Sequence, residues 1–208
     1  MTTENTTNLS LVKPQSGDNT VDWFDTMNDN MDLIDAAVLA LRISRMIITD
    51  IQAADTDGIH TAITGNSAIQ NITTAITNPD DSRNATITGS AGASGDIILT
   101  GLVRGTEDTE TIALDGTNTV QGNKPFDTIT NIKVPAELTS PKTVSVGWGD
   151  KVGLTNEISA VTKVYKVVIN SIDVTSTYVT SKVNATYGTI DFSTIGAWQD
   201  IKIFYQGN

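Results

Sequence analysis

The chain has 208 residues and a net charge of −11, from 13 basic and 24 acidic side chains. With no cysteine and one histidine, His60, it cannot form disulfides, thiolate metal sites or two-histidine acid–base pairs within one chain. The acidic balance disfavours capture of nucleic-acid phosphate or an anionic membrane, while 33 threonines and 23 isoleucines favour strands.

Residues 1–19 read as an extended docking arm. Met1–Gln15 is polar and rich in Thr and Asn, with Leu9, Leu11 and Val12 as its large apolar groups after Met1 and Pro14 near its end. A short apolar patch on a polar arm suits docking onto a partner, and a frayed terminus is the other reading. No apolar stretch follows a basic start, so no signal peptide is expected. The longest apolar run, Ala36–Leu41, is far short of the roughly 20 residues of a membrane span. The expectation is a soluble protein made in the cytoplasm.

Residues 20–50 are expected to be a helical oligomerisation or attachment segment, with the helix over 20–47. Thr20 suits an N-cap, and Asp22 and Asp25 suit the first turn. Phe24, Met27, Met31, Ile34, Val38 and Leu41 follow a 3-4-3-4-3 spacing, a heptad seam that ends at Arg45. That seam suits a short parallel bundle of identical chains, and an ordinary amphipathic helix packed on its own domain is the alternative.

Residues 51–83 are expected to be a stalk or linker. Ile59-His60-Thr61-Ala62-Ile63-Thr64 recurs as Ile72-Thr73-Thr74-Ala75-Ile76-Thr77, and these isoleucines fit either a helical stripe or short strands. A boundary falls at the turn-forming run from Asn78 to Ser82. Charge divides near it: residues 1–82 hold 3 basic and 12 acidic side chains, net −9, and residues 83–208 hold 10 and 12, net −2.

From residue 84 to 208 the apolar period is two. Val144, Val146 and Trp148 alternate with small or polar residues, as do Ile201, Ile203 and Tyr205; Ile112 with Leu114, and Val183 with Ala185 and Tyr187, mark further strands. Ile97–Val103 and Tyr165–Ile169 read as more continuously apolar strands, and Asn170-Ser171 as a two-residue hairpin turn. Helix followed by strands is an α+β chain, here an arm and trimeric coiled-coil-like helix before an antiparallel β-sandwich or jelly-roll-like domain.

Chemistry-bearing constellations are sparse. His60 sits in a stripe of Ile, Ala and Thr, where three copies on a three-fold axis would form an ion site and a single copy is a packing or surface group. Asp55-Thr56-Asp57-Gly58 begins like a calcium loop, but position twelve is Asn66, so a turn is the better reading. Asp80-Asp81 reads as a solvated turn. No two acids are paired by the sequence as a glycosidase requires, and no nucleophile-elbow motif accompanies His60. Neither an enzyme nor a cofactor is expected. Core packing is the default reading for Trp148, Trp198, Tyr178, Tyr187 and Tyr205, and a sugar-stacking platform is the alternative, Trp198 foremost because it follows Gly196-Ala197 just before a strand; Trp148 reads as core.

The run Asn8-Leu9-Ser10-Leu11-Val12-Lys13-Pro14, followed by Trp23 to Val38 with Asn28-Asp29-Asn30-Met31-Asp32-Leu33-Ile34-Asp35 at its centre, resembles the amino-terminal region of tailed-phage fibre and appendage proteins. Thr111–Thr117, Phe126–Pro135 and Val144–Leu154 look like a β domain of phage structural proteins. The resemblance implies a homotrimer in a virion, without cofactor or catalytic residues. Its partners would be capsid, collar, or tail and baseplate proteins, with Leu9, Leu11, Val12 and Pro14 docking. A head fibre, tail fibre or decoration protein all fit. The alternative is a receptor- or glycan-binding module of a tail fibre or baseplate, with Trp198 in contact with a host-surface glycan.

Overall fold

Runs of β-branched residues form strands, and each pairing whose register is described is antiparallel. The computed structural model describes residues 4–5, 12–13, 29–31, 33–34, 43–196 and 199–208. The chain divides into two units, Met1–Ile43 and Ser44–Asn208.

In the first unit, β1 (Glu4–Asn5) pairs with β2 (Val12–Lys13). The arm expected to be extended is therefore paired with itself at these positions, Val12 lying opposite Asn5. Leu9, Leu11 and Pro14 lie outside the described residues. Residues 29–31 and 33–34 have helical backbone. Of the seam, Met31 and Ile34 fall there and are exposed, at 57% and 40%; Phe24, Met27, Val38 and Leu41 lie outside the described residues.

The helix expected to reach residue 47 does not do so, because Ile43–Ile48 is strand β3. Three β-branched isoleucines in six residues favour that backbone, and exposure alternates along it with Ile48 turned inward.

The second unit begins with β4 (Asp55–Thr64), β5 (Gln70–Ile72), β6 (Arg83–Gly89), β7 (Asp96–Val103), β8 (Thr106–Ala113), β9 (Thr119–Phe126), β10 (Thr128–Val134) and β11 (Thr143–Gly153). One sheet has the order β5-β10-β7-β8. The other includes β9-β6-β11, with β4 on the far side of β11. Ile97, Leu99, Ile132 and Val134 from the first sheet and Ile59, Ile87, Val144 and Val146 from the second belong to one buried cluster, as sheets stacked face to face require. Threonine serves the outer positions: Thr88 and Thr119 are opposite one another across β6 and β9, their hydroxyls 2.8 Å apart.

The expected stalk is thus part of this body. Ile59 and Ile63 are four residues apart, which puts them on one face of a strand as readily as on one face of a helix. Pairing with β11 decides for the strand, and both side chains enter the core. The repeated isoleucine motifs meet, the Thr77 N–H donating to the Ile59 carbonyl at 2.9 Å.

A second cluster lies beyond. It uses β12 (Val164–Ile169), β13 (Ile172–Asp173), α1 (Thr175–Ser181), β14 (Val183–Asn184), β15 (Thr189–Asp191) and β16 (Ile201–Gln206). One sheet runs β13-β12-β16-β3, and β14-β15 extend the β11 sheet. Ile48, Val167, Tyr178, Ile190, Phe192, Ile203 and Tyr205 are buried together. Strand β11 ties the two clusters, giving Val144, Val146 and Trp148 to the first and Val152 to the second. Gly147 is needed in its middle, since a Cβ there would overlap the Asp55 carbonyl of β4.

Two hairpins use two-residue turns with both residues at positive φ. Asn170-Ser171 joins β12 to β13, as its sequence predicts, and Arg104-Gly105 joins β7 to β8. The strand expected through Val183, Ala185 and Tyr187 stops at Asn184. There the Asn184 side chain accepts the Tyr187 N–H at 3.3 Å, and Gly188 turns the chain at φ 58°.

Candidate functional site

The Arg104-Gly105 turn places a long cationic side chain at the tip of a hairpin. Asp127 holds the turn by accepting the Gly105 N–H at 2.9 Å. The Arg104 guanidinium reaches the second cluster, donating from Nε to the Leu154 carbonyl at 3.1 Å and from Nη2 to the carbonyls of Tyr187 at 2.6 Å and Gly188 at 3.3 Å. Gly188 must lack a Cβ, which would overlap that guanidinium.

Beside Arg104 lies a cleft of about 360 Å³. Strand β8 supplies Glu107 and Asp108, β9 supplies Lys124, and the loops before β12 and β15 supply Glu157 and Tyr187. Lys124 is fixed twice. Its Nζ donates to Asp108 at 2.7 Å and to the Thr109 carbonyl at 2.8 Å. Its backbone N–H, with that of Asn123, donates to the Glu110 carboxylate. The hydrogen bond from Lys124 is the leading reason the Asp108 carboxyl lies below its usual range, while burial pushes that of Glu110 up.

A second cleft on the Arg104 side is lined by Asp80, Asp81 and Asp127. The pair expected to be a solvated turn is only partly so. Asp81 is half-buried and its carboxyl is raised, first by burial and then by the charge of Asp80, with Arg83 opposing. A raised acid favours folding below its unfolded value of 3.8 and loses that contribution as pH rises through the folded value. Asp81→Asn should therefore raise the melting temperature at pH 7, by about 1–2 °C because solvent screens a half-exposed group. The gain should vanish in acid, as thermal scans across pH would show; a loss at neutral pH would refute the assignment.

Core packing, the default expectation for each candidate aromatic, holds for three of them. Trp148, Tyr178 and Tyr205 are core residues, and Trp198 lies outside the described residues. Tyr187, half-exposed and lining the Arg104 cleft, remains accessible. His60 is a half-exposed residue of β4 with Nδ1 2.6 Å from the Thr61 carbonyl. Asp55 caps its own turn by accepting the Asp57 N–H at 3.1 Å, and its side chain and charge raise the Asp57 carboxyl. Among the described residues, no group of three or more His, Cys, Asp or Glu side chains is placed to hold a metal ion, and no helix is long and apolar enough to cross a membrane.

Arg104 carries no chemical motif in the sequence. Its signal was the Arg-Gly pair between two β-rich runs, a turn whose first residue carries a charge it can direct elsewhere. Glu107 and Glu157 had no local signal, since Glu157 approaches β8 only through the tertiary fold. Comparison with protein-family models, curated proteins and solved structures finds no match to this chain.

Proposed function

We propose that this chain is a non-enzymatic structural component of a tailed-phage virion, a trimeric fibre or decoration protein. Its N-terminal arm and helix dock on another virion protein, and its β domain projects outward. In this reading residues 20–42 form a short parallel bundle of three chains, with Phe24, Met27, Met31, Ile34, Val38 and Leu41 at the seam, and Leu9, Leu11, Val12 and Pro14 meet the virion.

One observation carries the reading: where the large apolar side chains go. In Ser44–Asn208 most of them fill two cores. In the N-terminal segment Met31, Leu33 and Ile34 stand exposed on helical backbone. Exposed apolar side chains on an acidic segment favour a partner, and identical chains would bring the matching seam. The likeness of residues 8–38 to phage appendage proteins gives that partner its setting. A localised reconstruction of the particle carrying the protein tests this. It should show three copies side by side, residues 1–42 against another virion protein and the β domain outward. Absence of the protein from purified particles would contradict it.

A further inference from the structure

We infer that the cleft beside Arg104 binds a neutral saccharide, with Tyr187 as the stacking ring and Glu107 and Glu157 as acceptors for sugar hydroxyls. Saccharide binding here is separate from the appendage role and does not require it.

The frame of the cleft is built before any ligand arrives. Three carbonyls hold Arg104, and Asp108 with the Thr109 carbonyl holds Lys124. Arg104 and Lys124 therefore do not have to be ordered on binding. What remains is unspent hydrogen-bonding capacity. Among the described residues, the carboxylates of Glu107 and Glu157, the Tyr187 hydroxyl and Nη1 of Arg104 have no hydrogen-bond partner within the chain. Acceptors and donors thus face one space of about 360 Å³, toward the lower end of the roughly 300–1,000 Å³ usual for small-molecule clefts.

Charge selects the ligand class. Two cations, Arg104 and Lys124, stand against three carboxylates, Glu107, Asp108 and Glu157, which leaves −1. An anion would meet the two carboxylates that lack a partner. A bare metal ion would meet the guanidinium, and these acids do not group as metal ligands. A polyol satisfies both kinds of group at once, since each hydroxyl donates to a carboxylate and accepts from an N–H. Its C–H face suits an aromatic ring, and Tyr187 is the candidate aromatic that the fold leaves accessible beside this cleft.

Saturation-transfer NMR and calorimetry on the full chain test the assignment, with glucose, galactose, N-acetylglucosamine, lactose and maltose as probes. Calcium chloride and inorganic phosphate serve as charged controls. At least one sugar should bind with a dissociation constant below about 10 mM. Tyr187→Ala should weaken it about tenfold, Tyr187→Phe should leave it within about threefold, and Glu107→Gln with Glu157→Gln should weaken it about fivefold. Trp198→Ala should change nothing. Thermal unfolding of each variant identifies any that misfolds, and the two exposed glutamates then carry the test if Tyr187→Ala does. No sugar binding at about 10 mM, binding unchanged in both Tyr187→Ala and the double glutamine variant, or binding of calcium or phosphate in place of sugar would each overturn the proposal.

Discussion

Replacing Arg83 by alanine should destabilise the protein by about 3–5 kcal/mol and lower its melting temperature by about 10 °C. Arg83 is only 2% exposed, at the start of β6. Its Nε and Nη2 both donate to the Gly149 carbonyl, and Nη1 donates to that of Gln52 at 3.0 Å. Asp150 is 4.0 Å away, so the carbonyls are the main partners and the carboxylate a secondary one. Burial is the leading influence on the guanidinium and lowers its pKa, which Asp150 and Asp81 oppose. Removing the side chain leaves buried carbonyl capacity unmet on β11 and beside the chain that leads into β4. Arg83→Lys cannot reproduce the fork and should recover less than half of the loss. Equilibrium urea unfolding reads both, and an alanine variant within about 1 kcal/mol of the parent would show that these bonds are replaced by water.

Trp148→Ala should cost a similar amount, about 3–5 kcal/mol. The indole is 9% exposed and its Nε1–H donates to the Ala53 carbonyl at 2.9 Å. Strand β4 passes close over the ring: a Cβ on Gly58 would sit 2.6 Å from Trp148 Cη2. That tight seat cannot collapse into the space alanine would leave, so the cavity term is large. Trp148→Phe fills most of the volume and loses the bond to the Ala53 carbonyl, which lies on an exposed residue where water can replace it, and should cost about 0.5–1.5 kcal/mol. The same unfolding experiment checks it, and equal stability of the tryptophan and alanine forms would contradict the packing described.

The strands legible in the sequence were those with two independent signals. β11 and β16 show strict alternation and β-branched residues, and the Asn170-Ser171 turn adds a residue pair suited to positive φ. The expected helix runs too far, through residues 43–47, and the isoleucines of 59–64 stay open between helix and strand, because a spacing of four keeps one face of either. Only the partner strands β11 and β16 resolve that ambiguity, and they lie far along the chain, Thr143 opposite Thr64 and β16 beside β3. Helix α1 was hidden by composition, since Thr175–Ser181 holds three threonines and two serines. The Asp173 carboxylate accepts from the Thr175 N–H at 3.0 Å and from its hydroxyl at 2.6 Å, and Tyr178 anchors the helix in the core. Of the cleft, Tyr187 was legible as an aromatic candidate. Its setting was not, because Arg104, Lys124 and Glu157 converge through three separate loops and strands.

The association state of the full chain in solution tests the central claim most directly. Light scattering should give about three times the 22.1 kDa chain mass, and Met31→Asp or Ile34→Asp, by placing a carboxylate in the seam, should lower it toward one chain. A single-chain mass for the parent protein at micromolar concentration, or a trimer indifferent to both substitutions, would contradict assembly through that seam.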